Sequence, residues 1–300
     1  MKRHSERCVK QSRSTIQWSL VLLLTLSSAL PTSAQTNSPW GRIVMVGASV
    51  SAGFTASEPL GGSSTPQYRF SRYVDAALVV PHEPVQNLAN TLFFLQPELL
   101  GRHQVEQALK AKPTLVLGVD FLFWFCYGEG SSDKERLRRF EKGLKLLETF
   151  KCPLVVGDIP NASAAVNGML RPEQIPSTNA MVAANQRLNE WAATRPNVVI
   201  LRLSEFMRTV LANQALTIHD YRLPAGKTRM LLQNDKLHSS PPGCAVVALA
   251  ALNALQARHK FPSSDVCWNP KEILRSVLKS LDANTNSPPK PAAPQSPTPK

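Results

Sequence analysis

Residues 42–54 read RIVMVGASVSAGF, and the fold follows from how that run breaks. Up to Val46 it is apolar and rich in β-branched side chains, the pattern of a central strand covered on both faces. It then empties into Gly47, Ala48, Ser49 and, a turn later, Gly53, small residues that suit a tight turn. The turn leaves the Ser49 hydroxyl at the carboxyl end of a strand, where open α/β sheets bind their ligands.

Working outward, the pattern repeats. Residues 84–88, 114–119 (TLVLGV), 153–159 (PLVVGDI) and 197–203 read as further strands. Between them lie helical patterns. A weak one covers 69–77, and 101–112 places Val105, Ala108 and Leu109 on one face. Residues 131–151 align Leu137, Phe140, Leu144 and Leu147 behind a serine-rich start able to cap a helix. The stretch 180–194 and the alanine-rich 243–257, which opens behind Pro241 and Pro242, complete the series. Strands alternating with helices need crossover connections, so the chain is expected to form a three-layer α/β/α sandwich on a mainly parallel, flavodoxin-like sheet.

The ends read differently. Lys2, Arg3, Arg7, Lys10 and Arg13 precede an apolar run at 20–30 and a small-residue site at Thr32, Ser33 and Ala34, the order of a secretory signal peptide over 1–34. Its apolar run is shorter than the roughly 18 residues of a membrane span, and the alternative reading is an uncleaved N-terminal anchor. A polar linker is expected at 35–40, one α/β domain over 41–282, and a disordered proline-rich tail over 283–300. The mature chain is therefore expected in a secreted or periplasmic compartment, free or associated with the cell envelope. Loss of the leader lowers the net charge from +13 to +9. The basic residues lie mostly on helix-like stretches interleaved with acids, a solvated face and not a nucleic-acid footprint. Cys126, Cys152, Cys244 and Cys267 remain, and the sequence leaves open whether they form one or two bridges or stay buried thiols. No Cys/His spacing suggests a metal, and no cofactor is implied.

Chemistry requires partners for Ser49. A serine hydroxyl is a weak nucleophile unless a base lies within hydrogen-bond reach and a third group orients that base. Asp235 and His238, three residues apart in NDKLHSS (234–240), are the required types.

The blocks GASVSAG (47–53), LGVD (117–120) and DKLHS (235–239), in that order, resemble the SGNH hydrolases, also called GDSL-like esterases. The resemblance implies Ser49 as nucleophile, His238 as general base and Asp235 as its orienting acid. It also implies an oxyanion hole made by the N–H groups of Ser49 and Ala89 and by the side chain at position 120. Three positions depart from the family pattern: Ala48 replaces an aspartate, Ala89 replaces a glycine whose N–H enters the oxyanion hole, and Asp120 replaces an asparagine that donates to the oxyanion. Asp120 is open to three readings: a protonated donor, an acceptor of backbone N–H groups, or the mark of a site that no longer turns over. Of the aromatic band that follows, Phe121 and Trp124 are expected at the substrate pocket. His82, His103, His219 and His259 lack partners in spacing. The chain is expected to be an exported serine esterase acting on a small-molecule, lipid or polysaccharide ester, or alternatively a non-catalytic binding or scaffold module on the same fold.

Overall fold

The computed structural model describes residues 38–128 and 132–285. The expected signal peptide lies outside the described residues, as do the start of the linker and the tail beyond 285. The strands are β1 (Ile43–Met45), β2 (Gln86–Asn87), β3 (Leu115–Gly118), β4 (Leu154–Gly157) and β5 (Val198–Leu201), with a separate pair β6 (Leu216–Ile218) and β7 (Tyr221–Leu223). The helices are α1 (Ser49–Ala52), α2 (Phe70–Ala77), α3 (Pro97–Lys110), α4 (Phe123–Cys126), α5 (Asp133–Leu147), α6 (Thr178–Ala193), α7 (Leu203–Leu211), α8 (Pro241–His259) and α9 (Pro270–Thr285).

The first five strands form one sheet in the order β2-β1-β3-β4-β5, every pair parallel. This is the expected flavodoxin-like sandwich, and alternation along the strands explains its layers. Ile43, Met45, Leu115 and Leu117 point into a core shared with α2, α7, α8 and α9, while Val44, Val46, Val116 and Val156 point into a second core shared with α3, α4, α5 and α6. The order of strands reverses between β1 and β3, and at such a switch point the connections diverge and leave a crevice beyond the strand ends. Ser49 and Asp120 both stand there.

Local capping follows the sequence. The Ser132 hydroxyl accepts the Glu135 N–H at the start of α5, and Ser240 accepts the Gly243 N–H at the start of α8, with Pro241 in its first turn. Phe140, Leu144 and Leu147 are buried as expected, with Leu137 at the border. Leu109, expected on the buried face of its helix, is 41 % exposed; Gln104 is buried in its stead, for reasons that lie in the site. The hairpin β6–β7 and helix α9 are additions to the sequence reading, and α9 carries the chain three residues into the stretch expected to be tail. The four cysteines are free thiols. Among the described residues no helix is long and apolar enough to cross a membrane, and no group of three His, Cys, Asp or Glu side chains could hold a metal ion.

Candidate active site

Gly47 makes the turn out of β1. Its φ is +152°, and a Cβ there would lie 2.2 Å from Asp120 Oδ1, so only glycine lets the chain pass this close to the carboxylate. Both backbone groups of Gly47 are held by the buried Gln104 side chain: Oε1 accepts the N–H at 2.8 Å and Nε2 donates to the carbonyl at 2.9 Å. A side-chain amide from α3, 57 residues away in sequence, thus completes the hydrogen bonding of Gly47, whose carbonyl also accepts the Asn90 N–H at 3.2 Å. Ser49 opens the one-turn helix α1, and its backbone N–H donates to no acceptor among the described residues.

Asp120 decides how that turn is held. Its Oδ1 accepts the Ala48 N–H (3.0 Å) and the Ser51 hydroxyl (2.6 Å), and its Oδ2 accepts the Val50 N–H (2.8 Å) and the Ser51 N–H (3.2 Å). Four donors converge on two oxygens of a side chain only 6 % exposed. Asp120 therefore anchors the serine turn, and the expectation that it contributes to an oxyanion hole is corrected: each of these contacts is one it accepts. Of the three readings open for it, the acceptor is the one this geometry takes. Ala89 is corrected as well. Its N–H, expected to face the oxyanion, donates to Asn87 Oδ1 at 3.0 Å, while Asn87 Nδ2 donates to the Ser51 carbonyl at 2.8 Å. Of the three expected donors, the Ser49 N–H alone is unengaged.

His238 arrives from the loop before α8. A bridge between Leu232 and Ser239 closes that loop, the Gln233 N–H donates to the His238 carbonyl at 2.8 Å, and Lys236 takes the left-handed conformation at its tip. Gly243 lets α8 begin directly behind it, since a Cβ there would meet the Leu231 carbonyl at 1.9 Å. Inside the loop Asp235 Oδ1 accepts the N–H groups of Leu237 and His238, each at 2.9 Å, and Oδ2 lies 2.7 Å from His238 Nδ1. His238 Nε2 lies 2.8 Å from Ser49 Oγ. The structure thus brings Ser49, His238 and Asp235 into one hydrogen-bonded line across 189 residues of sequence. A carboxylate only accepts, so Nδ1 carries the proton toward Asp235 and the Nε2 lone pair faces the serine hydroxyl. Burial alone would raise the Asp235 pKa, but the hydrogen bonds and charge of His238 outweigh it and hold the carboxyl below its ordinary value. His238 is 3 % exposed, and Phe54 stacks on its ring at 4.2 Å between centroids. Gln233 binds the two loops together, its Nε2 donating to the carbonyls of Phe54 (2.8 Å) and Ser239 (3.0 Å).

A pocket opens beside Ser49, lined by Val119, Asp120, Phe123, Trp124, Gly157, Asp158, Leu203, Phe206, Met207 and Val247 among others. Its lining is mostly apolar. Trp124 lines it, but Phe121 does not: it is fully buried and packs on Phe93 and Phe125, with centroids 5.5 Å away in each case. The reason is periodicity. The band turns helical in α4, so positions four apart share a face; Phe121 pairs with Phe125 in the core while Phe123 stacks on Tyr127 at 4.0 Å and reaches the pocket. Asp158, at the end of β4, accepts the Ser204 N–H (2.7 Å) and hydroxyl (2.6 Å) and so fixes the start of α7; burial raises its pKa. The remaining histidines lie apart from the site: His82 lies 3.4 Å from Asp75, His219 stacks on Trp268, and His103 and His259 sit on helices.

No family model and no curated protein matches the chain. Among solved structures it is similar to a lipase/acylhydrolase from Enterococcus faecalis, at 18 % identity over 73 % of this chain and 96 % of that one, with a TM-score of 0.48. It is also similar to a psychrotrophic esterase from Pseudoalteromonas sp. (13 % identity, 74 % and 100 % covered, TM-score 0.43). A variant of an acetyl-xylooligosaccharide esterase from Geobacillus is a third (13 %, 74 % and 95 %, TM-score 0.45). At such identities the chemistry rests on the side chains of this chain.

Proposed function

We propose that this chain is a divergent SGNH-type serine hydrolase that cleaves carboxylic esters through an acyl-enzyme on Ser49. The observation that carries the reading is the line Asp235–His238–Ser49, with contacts of 2.7 and 2.8 Å, at the edge of an apolar pocket. Ser49 Oγ attacks the ester carbonyl as its proton passes to His238 Nε2, and Asp235 stabilises the imidazolium. The oxyanion that forms faces the N–H of Ser49, the free first amide of α1. His238 returns the proton to the departing alkoxide, then takes one from water as its oxygen attacks the acyl carbon, and gives that proton to Ser49 Oγ as the acyl–Oγ bond breaks and the carboxylic acid leaves. The ester is that of a small molecule, a lipid or a polysaccharide. The basic and apolar start of the chain supports export of the enzyme to a secreted or periplasmic location.

The test is hydrolysis of p-nitrophenyl butyrate by the purified protein and by Ser49→Ala. Turnover that falls to background in the variant is expected; equal turnover by both refutes the reading. The second reading, a binding module on the same fold, draws on one observation: the Ala89 N–H and the Asp120 carboxylate are both engaged elsewhere, which leaves a single oxyanion donor. It predicts no turnover by the intact protein on any ester.

A further inference from the structure

The pocket beside Ser49 limits what the serine can accept. Its cavity volume is about 50 Å³. A dry apolar cavity of roughly 150 Å³ holds one benzene ring, so a third of that space holds about two carbons beyond a carbonyl, and about three, a butyryl chain, after a small shift of the lining. The walls give no more than that. Phe206 and Met207 are each 6 % exposed and belong to the packed core around α7 and α8, together with Val247. The start of α7 is locked by the two hydrogen bonds from Ser204 to Asp158, and at Gly157 a Cβ would lie 2.0 Å from the Val119 carbonyl. Core walls of this density do not swing aside as surface loops do.

The same geometry decides which half of an ester enters. The departing oxygen must stay within reach of His238 Nε2 to collect its proton. Leu237 and Ser239, on either side of His238, line the pocket as Ser49 does, whereas His238 itself does not and so stands at its edge. The leaving group therefore lies at that edge, toward His238. The acyl chain is the part that goes in.

We propose that this is an acyl pocket for short chains, closed by Leu203, Phe206 and Met207 of α7, and that the enzyme selects acetyl to butyryl esters while tolerating varied alcohols. The proposal rests on the reading of Ser49 as the acyl acceptor. The experiment measures kcat/KM of the full chain on p-nitrophenyl acetate, butyrate, octanoate and decanoate, then repeats the series with Met207→Ala and Leu203→Ala. One methylene that does not fit an apolar pocket changes kcat/KM about 10-fold or more. The wild type is expected to prefer butyrate over octanoate by more than about 100-fold on that scale. Either variant, if folded by circular dichroism, is expected to narrow the gap about 10-fold. Octanoate cleaved as fast as butyrate by the wild type overturns the proposal, and this outcome needs no variant. Folded variants with an unchanged ratio overturn the assignment of α7 as the closing wall. A fluorophosphonate label on Ser49 with no short ester cleaved overturns the substrate class alone, whereas no label and no cleavage overturns the hydrolase reading beneath it.

Discussion

Replacing Asp120 with asparagine separates an anchor from an oxyanion donor more cleanly than any other change. If the asparagine oxygen takes the place of Oδ2, it keeps the N–H groups of Val50 and Ser51. Its NH2 then stands where Oδ1 accepted the Ala48 N–H at 3.0 Å, donor against donor, while the Ser51 hydroxyl can turn and accept. One buried N–H is orphaned, at about 1–3 kcal/mol. The remaining three bonds lose a charged acceptor, and the difference between charged and neutral bonds is roughly 1 kcal/mol each. The sum is about 4–6 kcal/mol, non-additive and therefore an upper figure. In a domain of this size each kcal/mol moves the thermal midpoint by roughly 2–4 °C, so a fall of up to about 10–20 °C is expected. Ser49 lies between the anchored amides of Ala48 and Val50, so its turnover is expected to fall as well. Thermal unfolding followed by circular dichroism and ester hydrolysis at a temperature where both proteins are folded measure the two effects. An Asp120→Asn protein that melts with the wild type and hydrolyses esters faster refutes the anchor and restores position 120 to the oxyanion hole.

Gln104→Leu keeps the volume of the side chain but strands the N–H of Gly47, whose carbonyl keeps the Asn90 N–H, a loss of about 1–3 kcal/mol; kcat is expected to fall with KM little changed, because the serine is displaced while the pocket is not. The folded Asp235 carboxyl sits below its unfolded value, so the stability it contributes is fully present above about pH 4 and is lost as pH falls through the lowered value. The melting difference between wild type and Asp235→Asn is therefore expected to hold from neutral pH to about pH 4 and to shrink only below it; a difference already gone at pH 6 contradicts the pairing. Burial pushes the Cys126 and Cys244 thiols up to about 12, so both should resist Ellman's reagent in the native protein and react in denaturant without a reductant; thiols that appear only after reduction contradict the free cysteines.

Much of this was legible in the sequence because it rests on local pattern. The buried strands announce themselves as short β-branched runs, and the parallel order follows from the helices between them. Ser49, Asp235 and His238 were legible as types: one small-residue break after a strand, and two residues spaced to share a loop. What stayed hidden depends on direction and distance. Gln104 looks like a polar residue on a helix face, and nothing local says that its amide will meet Gly47 across 57 residues. Gln233 and Phe54 are equally silent until the two loops meet. Asp120 was visible as a departure, but whether it donates or accepts is fixed by which amides the turn aims at it. The strands of the hairpin β6–β7 have three residues each, too short for a period to register.

The central claim is that His238 makes Ser49 a nucleophile. Its most direct test is exposure of the purified protein to a fluorophosphonate probe, followed by peptide mass spectrometry, for the wild type and for His238→Ala. The account predicts a single adduct on Ser49 that forms in the wild type and falls by orders of magnitude in His238→Ala. A wild type left unlabelled under conditions that label a control serine hydrolase, or labelled equally with and without His238, contradicts it.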